Sequence, residues 1–257
     1  MDRSLKLQQA ILLHLFALNK SATKKITIGL DFKDSESLEL EPKVRLLGGS
    51  DLQGIDFSIS VWETLKKKFN AIEDYFKPST TLKDGDIIIL QNFIIRLCSM
   101  YDSKAFEIQE TSGEEFNLPP SKKIFKKNLF FKQNTFACLK NVTKCIDIKI
   151  DYLKKIATSV NTIKDELVQF LFTMLAAQYE AQVTTINKKD VYHMVNNLEA
   201  SKIDDLTLKI FNSDKFDKKI INDSEFIKYI IYEFISVNVS YIIRCLEKCV
   251  EETNEVN

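Results

Sequence analysis

Alternating apolar and polar positions give way to helical spacing twice in this chain, and the two switches look alike. Ile55, Phe57 and Ile59 alternate with Asp56 and Ser58, as in a strand with one buried face. From Ser60 the period changes. Trp62, Leu65, Phe69, Ile72 and Phe76 fall three and four apart, which predicts a helix over 61–76 with Ser60 as its N-cap. In the second stretch Leu129 and Phe131 take the strand positions and Asn134 the cap. Phe136, Leu139, Ile146 and Ile150 take the helical ones. Both stretches read Phe-x-x-(Ser/Asn)-x-(Trp/Phe)-x-x-Leu, and seven residues after each Leu come Ile72-Glu73 and Ile146-Asp147. The pattern predicts a duplicated strand that turns directly into a helix.

The rest of the chain fills in around these two steps. Residues 5–18 carry a Leu-rich apolar run that predicts a packing helix. Gln8, Gln9 and His14 interrupt it, and it is too short to span a bilayer, which argues against a signal peptide. Residues 24–32, apolar at 26, 28, 30 and 32, predict a half-buried strand, and 38–47 a second, with Val44 and Leu46 inward and Lys43 and Arg45 outward. Gly48-Gly49-Ser50-Asp51 is a turn before the strand 54–59, and Pro78 closes this first module. The second module begins after Lys83-Asp84-Gly85. It is expected to hold one long bent strand over 86–98, a strand over 104–110, a loop over 111–121 and a strand over 122–131. A helix from Thr135 to about Ala157 follows.

Beyond 158 the spacing is helical throughout. Asn187 is a cap for 188–199, Asp204 to Phe211 make a short helix, and Asp223 or Ser224 starts a long one reaching Val250. Its wide apolar surface must be buried by other helices or by another chain. Lys228, Glu233, Asn238 and Arg244 argue against a membrane span. The organisation expected is an N-terminal helix at 1–20, modules at 21–78 and 83–157, and an all-helical domain at 158–257. That domain serves packing, oligomerisation or partner binding, or simply extends the core.

Composition agrees with a folded chain: 257 residues, 45% hydrophobic, six Gly and four Pro. The formal net charge of zero hides an asymmetry. Residues 1–156 hold 25 Lys and Arg against 20 Asp and Glu, whereas 157–257 hold 11 against 16. The segment 117–156 has ten Lys and two Asp. A basic front half fits a polyanionic partner, and the two halves could also attract each other between copies. Cys98, Cys138, Cys145, Cys245 and Cys249 form no CxxC pair, and their odd number suits a reducing compartment. An intracellular place, nuclear or viral, is expected. Of the 36 basic residues 32 are Lys, a bias of AT-rich genomes that inflates surface lysine in general.

Nothing in the chain matches a phosphate loop, a Rossmann fingerprint, a Gly-x-Ser-x-Gly elbow or a His-Glu-x-x-His helix. Asp204, Asp205, Asp214 and Asp217 read as a solvated helical face, and Glu114-Glu115 as loop, so no metal, cofactor or catalytic residue is expected. The reading is of a protein that is not an enzyme.

A curved antiparallel sheet ending in the strand-to-helix step Phe57 to Leu65 resembles the single-stranded-DNA-binding fold of the transcriptional positive cofactor 4 family. There a Trp and a Leu stand on the following helix much as Trp62 and Leu65 do here. Two such modules in one chain resemble the plant Whirly proteins in layout. The resemblance covers roughly residues 24–156, and it departs in that the first module lacks one clear strand. It implies an α+β fold with two repeated antiparallel-sheet-plus-helix modules forming a pseudo-dimer, and open sheet faces that bind single-stranded DNA or RNA. Strand parity then nominates Lys43 and Arg45 in the first module, and Arg96, Lys122, Lys126, Phe130 and Lys132 in the second. Lysines and arginines would neutralise phosphates and aromatics would stack on bases, with low sequence specificity. The competing expectation is a structural or assembly protein whose C-terminal helices oligomerise it.

Overall fold

The structure, a computed structural model, describes residues 10–33, 37–48, 54–111, 127–179, 185–236 and 238–255. It is α+β, with two four-stranded antiparallel sheets and seven helices among those residues. The first sheet runs in sequence order through β1 (Ile11–Ala17), β2 (Lys25–Phe32), β3 (Leu40–Leu47) and β4 (Gly54–Phe57). Helices α1 (Ile59–Lys67) and α2 (Phe69–Phe76) follow. The second sheet runs through β5 (Ile87–Leu90), β6 (Phe93–Met100), β7 (Ser103–Glu110) and β8 (Lys127–Lys132), and feeds α3 (Gln133–Tyr179). The chain ends in α4 (Lys188–Asn196), α5 (Ala200–Phe211), α6 (Ser224–Ser236) and α7 (Val239–Glu255).

Several expectations need correction. The long helix expected from Asp223 or Ser224 to Val250 is two helices, α6 and α7, bent at the break between them. Asn134, expected as a cap, lies inside α3, which begins at Gln133. Of the segment read as an N-terminal helix, residues 1–9 lie outside the described residues, and the described part holds the strand β1. A run of leucines has no polar alternation to mark a strand, and pairing with β2 overrides its local helical preference. Leu12 also has a φ of 56°, a left-handed residue that breaks the strand's period. Its N–H is held by Glu233 Oε1 at 2.9 Å. The strand missing from the first module is therefore present.

The bent strand over 86–98 is instead a hairpin. Leu90 pairs with Phe93 across Gln91 and Asn92, and Gln91 turns with a φ of 45°. No Gly or Pro marks that turn. The single helix over 61–76 is two helices that break at Lys68, and the cap is Ser58 rather than Ser60. The Ser58 Oγ accepts from the Val61 N–H at 3.4 Å, so Ile59 opens the helix instead of ending the strand. Finally, α3 runs unbroken for 47 residues, past the end expected near Ala157.

The chain divides into two compact units. Leu13–Gly29 and Pro42–Ile150 make the sheet unit, which includes the first part of α3. Within it Val44 pairs with Phe57 and Leu46 with Ile55, all buried, while Lys43, Arg45 and Asp56 on the other face are half-buried. In the second sheet Phe93, Ile95, Leu97, Phe106, Ile108, Leu129 and Phe131 form the covered face. Aromatic rings fill the space between sheet and helices. Phe106 lies 5.2 Å from Phe131 and 5.5 Å from Phe136, and Phe69 meets Phe136 edge-on at 5.3 Å. Strand β4 lies beside β8, and Phe57 meets Phe93 at 4.9 Å.

The other unit comprises the residues up to Leu12, Leu30–Glu41 and Asp151 onwards. Here strand ends are bound by helices. Asn161 on α3 donates to the Leu40 carbonyl at 3.0 Å and accepts the Leu40 N–H at 2.9 Å. The Lys164 ammonium, almost fully buried, donates to the Leu38 carbonyl. Tyr241 donates to Asp31, and its ring lies 4.3 Å from Phe32. Asn187 caps α4 as expected, accepting from the Lys189 N–H at 3.1 Å. Among the described residues no single helix is long and apolar enough to cross a membrane; only the bent pair α6 and α7, taken together, has that length and composition.

Candidate nucleic-acid interface

Register in the second sheet decides which of the expected residues share a face. Ile87, Arg96, Glu107 and Phe130 stand in one row across the four strands, and Cys98, Ala105 and Lys132 stand in another row on the same face. Arg96, Phe130 and Lys132 are thus brought together, with Ile95, Leu97, Leu129 and Phe131 buried on the opposite face as parity requires. Lys132 is exposed; Arg96 and Phe130 are half-buried. Lys43 and Arg45 lie on the first sheet, and the structure does not place them in this row. Lys122 and Lys126 lie outside the described residues.

The arginines have acidic neighbours that the sequence alone did not pair with them. Arg45 lies directly across from Asp56, and its Nε donates to the Asp56 carboxylate. Arg96 lies directly across from Glu107, which is buried and accepts the Asn128 side-chain amide at 3.0 Å. A cation facing a carboxylate offers a phosphate little net charge. Lys132 differs: the ion pairs seen among the described residues do not include it.

Two further residues complete this edge. Tyr101, at the β6–β7 turn, is 84% exposed. Lys132 Nζ lies 5.4 Å from the centre of its ring. Met100 pairs with Ser103 across Tyr101 and Asp102, whose φ values of 50° and 55° make a tight hairpin turn. Lys104 donates to the carbonyls of Tyr75 at 2.7 Å and Lys77 at 3.1 Å, closing the end of α2. Lys104, Lys132, Ser103 and Phe76 line an open cleft of about 360 Å³ with Gln133 and Asn134 at the start of α3. Sequence reading passed over Tyr101 because it sat between two strands; an aromatic at a turn was the available signal.

The helices of the sheet unit are tied by two ion pairs. Lys66 on α1 reaches Asp147 on α3 at 2.8 Å, and Lys140 on α3 reaches Glu73 on α2 at 2.7 Å. Burial works against the Lys66 ammonium, but its bonds to Asp147 and Glu63 outweigh that and hold its pKa above the ordinary lysine value. The two pairs are reciprocal: a shift of 74 residues carries Lys66 to Lys140 and Glu73 to Asp147.

Chemistry of other kinds finds few parts. Among the described residues no three His, Cys, Asp or Glu side chains stand close enough to hold a metal. Asp204 is engaged by Lys228 at 2.5 Å. All five cysteines are free thiols, and burial pushes Cys245 up to about 11.

The class that these features define is an α+β protein of two four-stranded antiparallel sheets followed by helices. Compared with protein-family models and with curated proteins, the chain matches none.

Proposed function

We propose that the chain is a single-stranded nucleic-acid-binding protein, DNA before RNA, whose two sheet-plus-helix modules form an internal pseudo-dimer. The reciprocal ion pairs carry this reading. A two-fold axis makes residue i of one copy touch j of the other while j touches i. The pairs Lys66–Asp147 and Lys140–Glu73 meet that condition under the same 74-residue shift that aligns Phe57 with Phe131 and Leu65 with Leu139. Strand β4 lying beside β8 fits it too, since the same shift superposes them in sequence. Such a pair of sheets is the layout of the single-stranded-DNA-binding family that the sequence resembles.

Binding would rest on Lys132 and Phe130, with Lys43, Lys122 and Lys126 adding charge, and with Arg45 and Arg96 contributing less because they face Asp56 and Glu107. The test is fluorescence anisotropy of a labelled oligonucleotide of about 30 nucleotides, single-stranded beside duplex, at two salt concentrations. Tighter binding of the single strand that weakens steeply with salt supports the reading. No binding of either strand at low salt overturns it.

A second reading, an assembly protein built on the same fold, is favoured by the carboxylates facing both arginines and by Ile87 and Ile89. These two are exposed on β5, at the edge of its sheet. It predicts association that salt hardly changes and no preference for nucleic acid.

A further inference from the structure

We infer that Tyr101, Lys132 and the cleft beside them form a nucleotide subsite, with Tyr101 as the base-stacking residue and Lys132 as its phosphate partner; this rests on the nucleic-acid reading above and deepens it. Tyr101 has 84% of its surface exposed, more than any other large apolar or aromatic side chain described. A ring this exposed gains little for the fold, since burial is what stabilises an aromatic. The backbone that presents the ring is nonetheless fixed in a tight turn. Both turn residues are in the left-handed region, and the Tyr101 carbonyl accepts the Ser103 Oγ–H at 3.3 Å. The Lys132 ammonium lies near one face of the ring, which leaves the other free for a flat partner.

The charge around the ring completes the site. Lys132 and Lys104 both line the cleft of about 360 Å³. Lys104 is spent on the carbonyls of Tyr75 and Lys77, so it positions the wall and adds field, while Lys132 remains for the ligand. A base on the open face of Tyr101 would set its own phosphate within reach of Lys132. Stacking of this kind tolerates any base, because every base has a π-face. The subsite would therefore give affinity and register on a single strand without sequence preference.

The experiment uses the full chain and an oligothymidylate of about 30 nucleotides in which single positions carry 5-iodo-deoxyuridine. Ultraviolet crosslinking is read by mass spectrometry, and affinity by anisotropy at two salt concentrations. Tyr101→Ala should weaken binding about five- to a hundredfold, the range found when stacking aromatics are truncated. Its salt slope should stay unchanged. Tyr101→Phe should bind like the parent, because the ring and not the hydroxyl is used. Lys132→Gln should lower the salt slope by about one. Tyr229→Ala, a tyrosine 54% exposed on α6, should have no effect. The crosslinked peptide should contain Tyr101. If the parent binds single strands but Tyr101→Ala binds as well and the crosslink lies elsewhere, the subsite is refuted and the wider reading survives. If the parent binds no strand at low salt, both fall.

Discussion

The Trp62 indole donates to the Asp147 carboxylate at 3.2 Å, across 85 residues of chain. Asp147 also takes the Lys66 ammonium, so one carboxylate serves two side chains on one turn of α1. Trp62 is fully buried and is the sole tryptophan of the protein. Replacing Asp147 by Ala leaves a buried N–H without a partner, a loss of about 1–3 kcal/mol. Asp147→Ala should lower the denaturation midpoint accordingly, and the tryptophan emission should shift because the indole's surroundings change. Equilibrium denaturation followed by that fluorescence reads both.

The reciprocal pair should behave differently. Lys140 and Glu73 are more exposed than Lys66, and exposed pairs contribute about 0.2–1 kcal/mol. A double-mutant cycle on Lys140 and Glu73 should therefore return a small, salt-sensitive coupling. A cycle on Lys66 and Asp147 should return a larger one. Equal couplings would mean that burial does not separate the two.

Glu233 sets a pH dependence. Burial pushes its carboxyl above the ordinary value, and the bond from the Leu12 N–H only partly opposes this. Its Oε2 is buried with no hydrogen-bond partner among the described residues. The folded state thus holds the proton more tightly than the unfolded chain does. The stability this gives is fully present below the unfolded carboxylate value of about 4.3 and is lost as pH rises through the raised folded value. Thermal melts of the parent against Glu233→Gln should converge at low pH. At neutral pH the Gln variant should be the more stable of the two.

Charge partners should decide which basic residues matter for nucleic acid. Arg45 is neutralised by Asp56 on the neighbouring strand, so Arg45→Gln should change single-strand affinity less than Lys132→Gln does. Anisotropy titrations at one salt concentration compare them directly. An Arg45 effect as large as that of Lys132 would mean that the ion pair opens for the ligand.

A fragment ending at residue 157 should not fold cooperatively. The cut severs α3 ahead of Val160, Ile163 and Leu167, all buried, and removes Asn161 from Leu40. Circular dichroism melts should show a broad transition or none. A sharp transition would show that the sheets stand alone.

Periodicity and parity carried the local part of this structure. Alternation at Ile26, Ile28, Leu30 and Phe32, and at Val44, Leu46, Ile55 and Phe57, set which strand faces are buried. Helical spacing did the same for Trp62, Leu65, Phe136 and Leu139. The side of the sheet that carries Arg96, Phe130 and Lys132 was legible for the same reason: in a strand, direction follows from count alone. Asn187 was legible as a cap because its side chain acts on the next turn of its own helix.

Other features were decided only when distant segments met. The leucine-rich start became β1 because β2 offered it an edge, and no local property of Ile11 to Ala17 distinguishes that from a helix. The turn at Gln91 and Asn92 has no Gly or Pro, so closure of its hairpin depends on the pairing of Ile88 with Ile95 and Ile89 with Ile94. The acids that face Arg45 and Arg96 come from the neighbouring strand, and the cation beside Tyr101 and the meeting of Trp62 with Asp147 come from elements further along the chain; all are contacts between separate elements. Spacing determines which way a side chain points, because that is local geometry. What it meets there depends on how the sheets and helices pack, and only the tertiary structure fixes that.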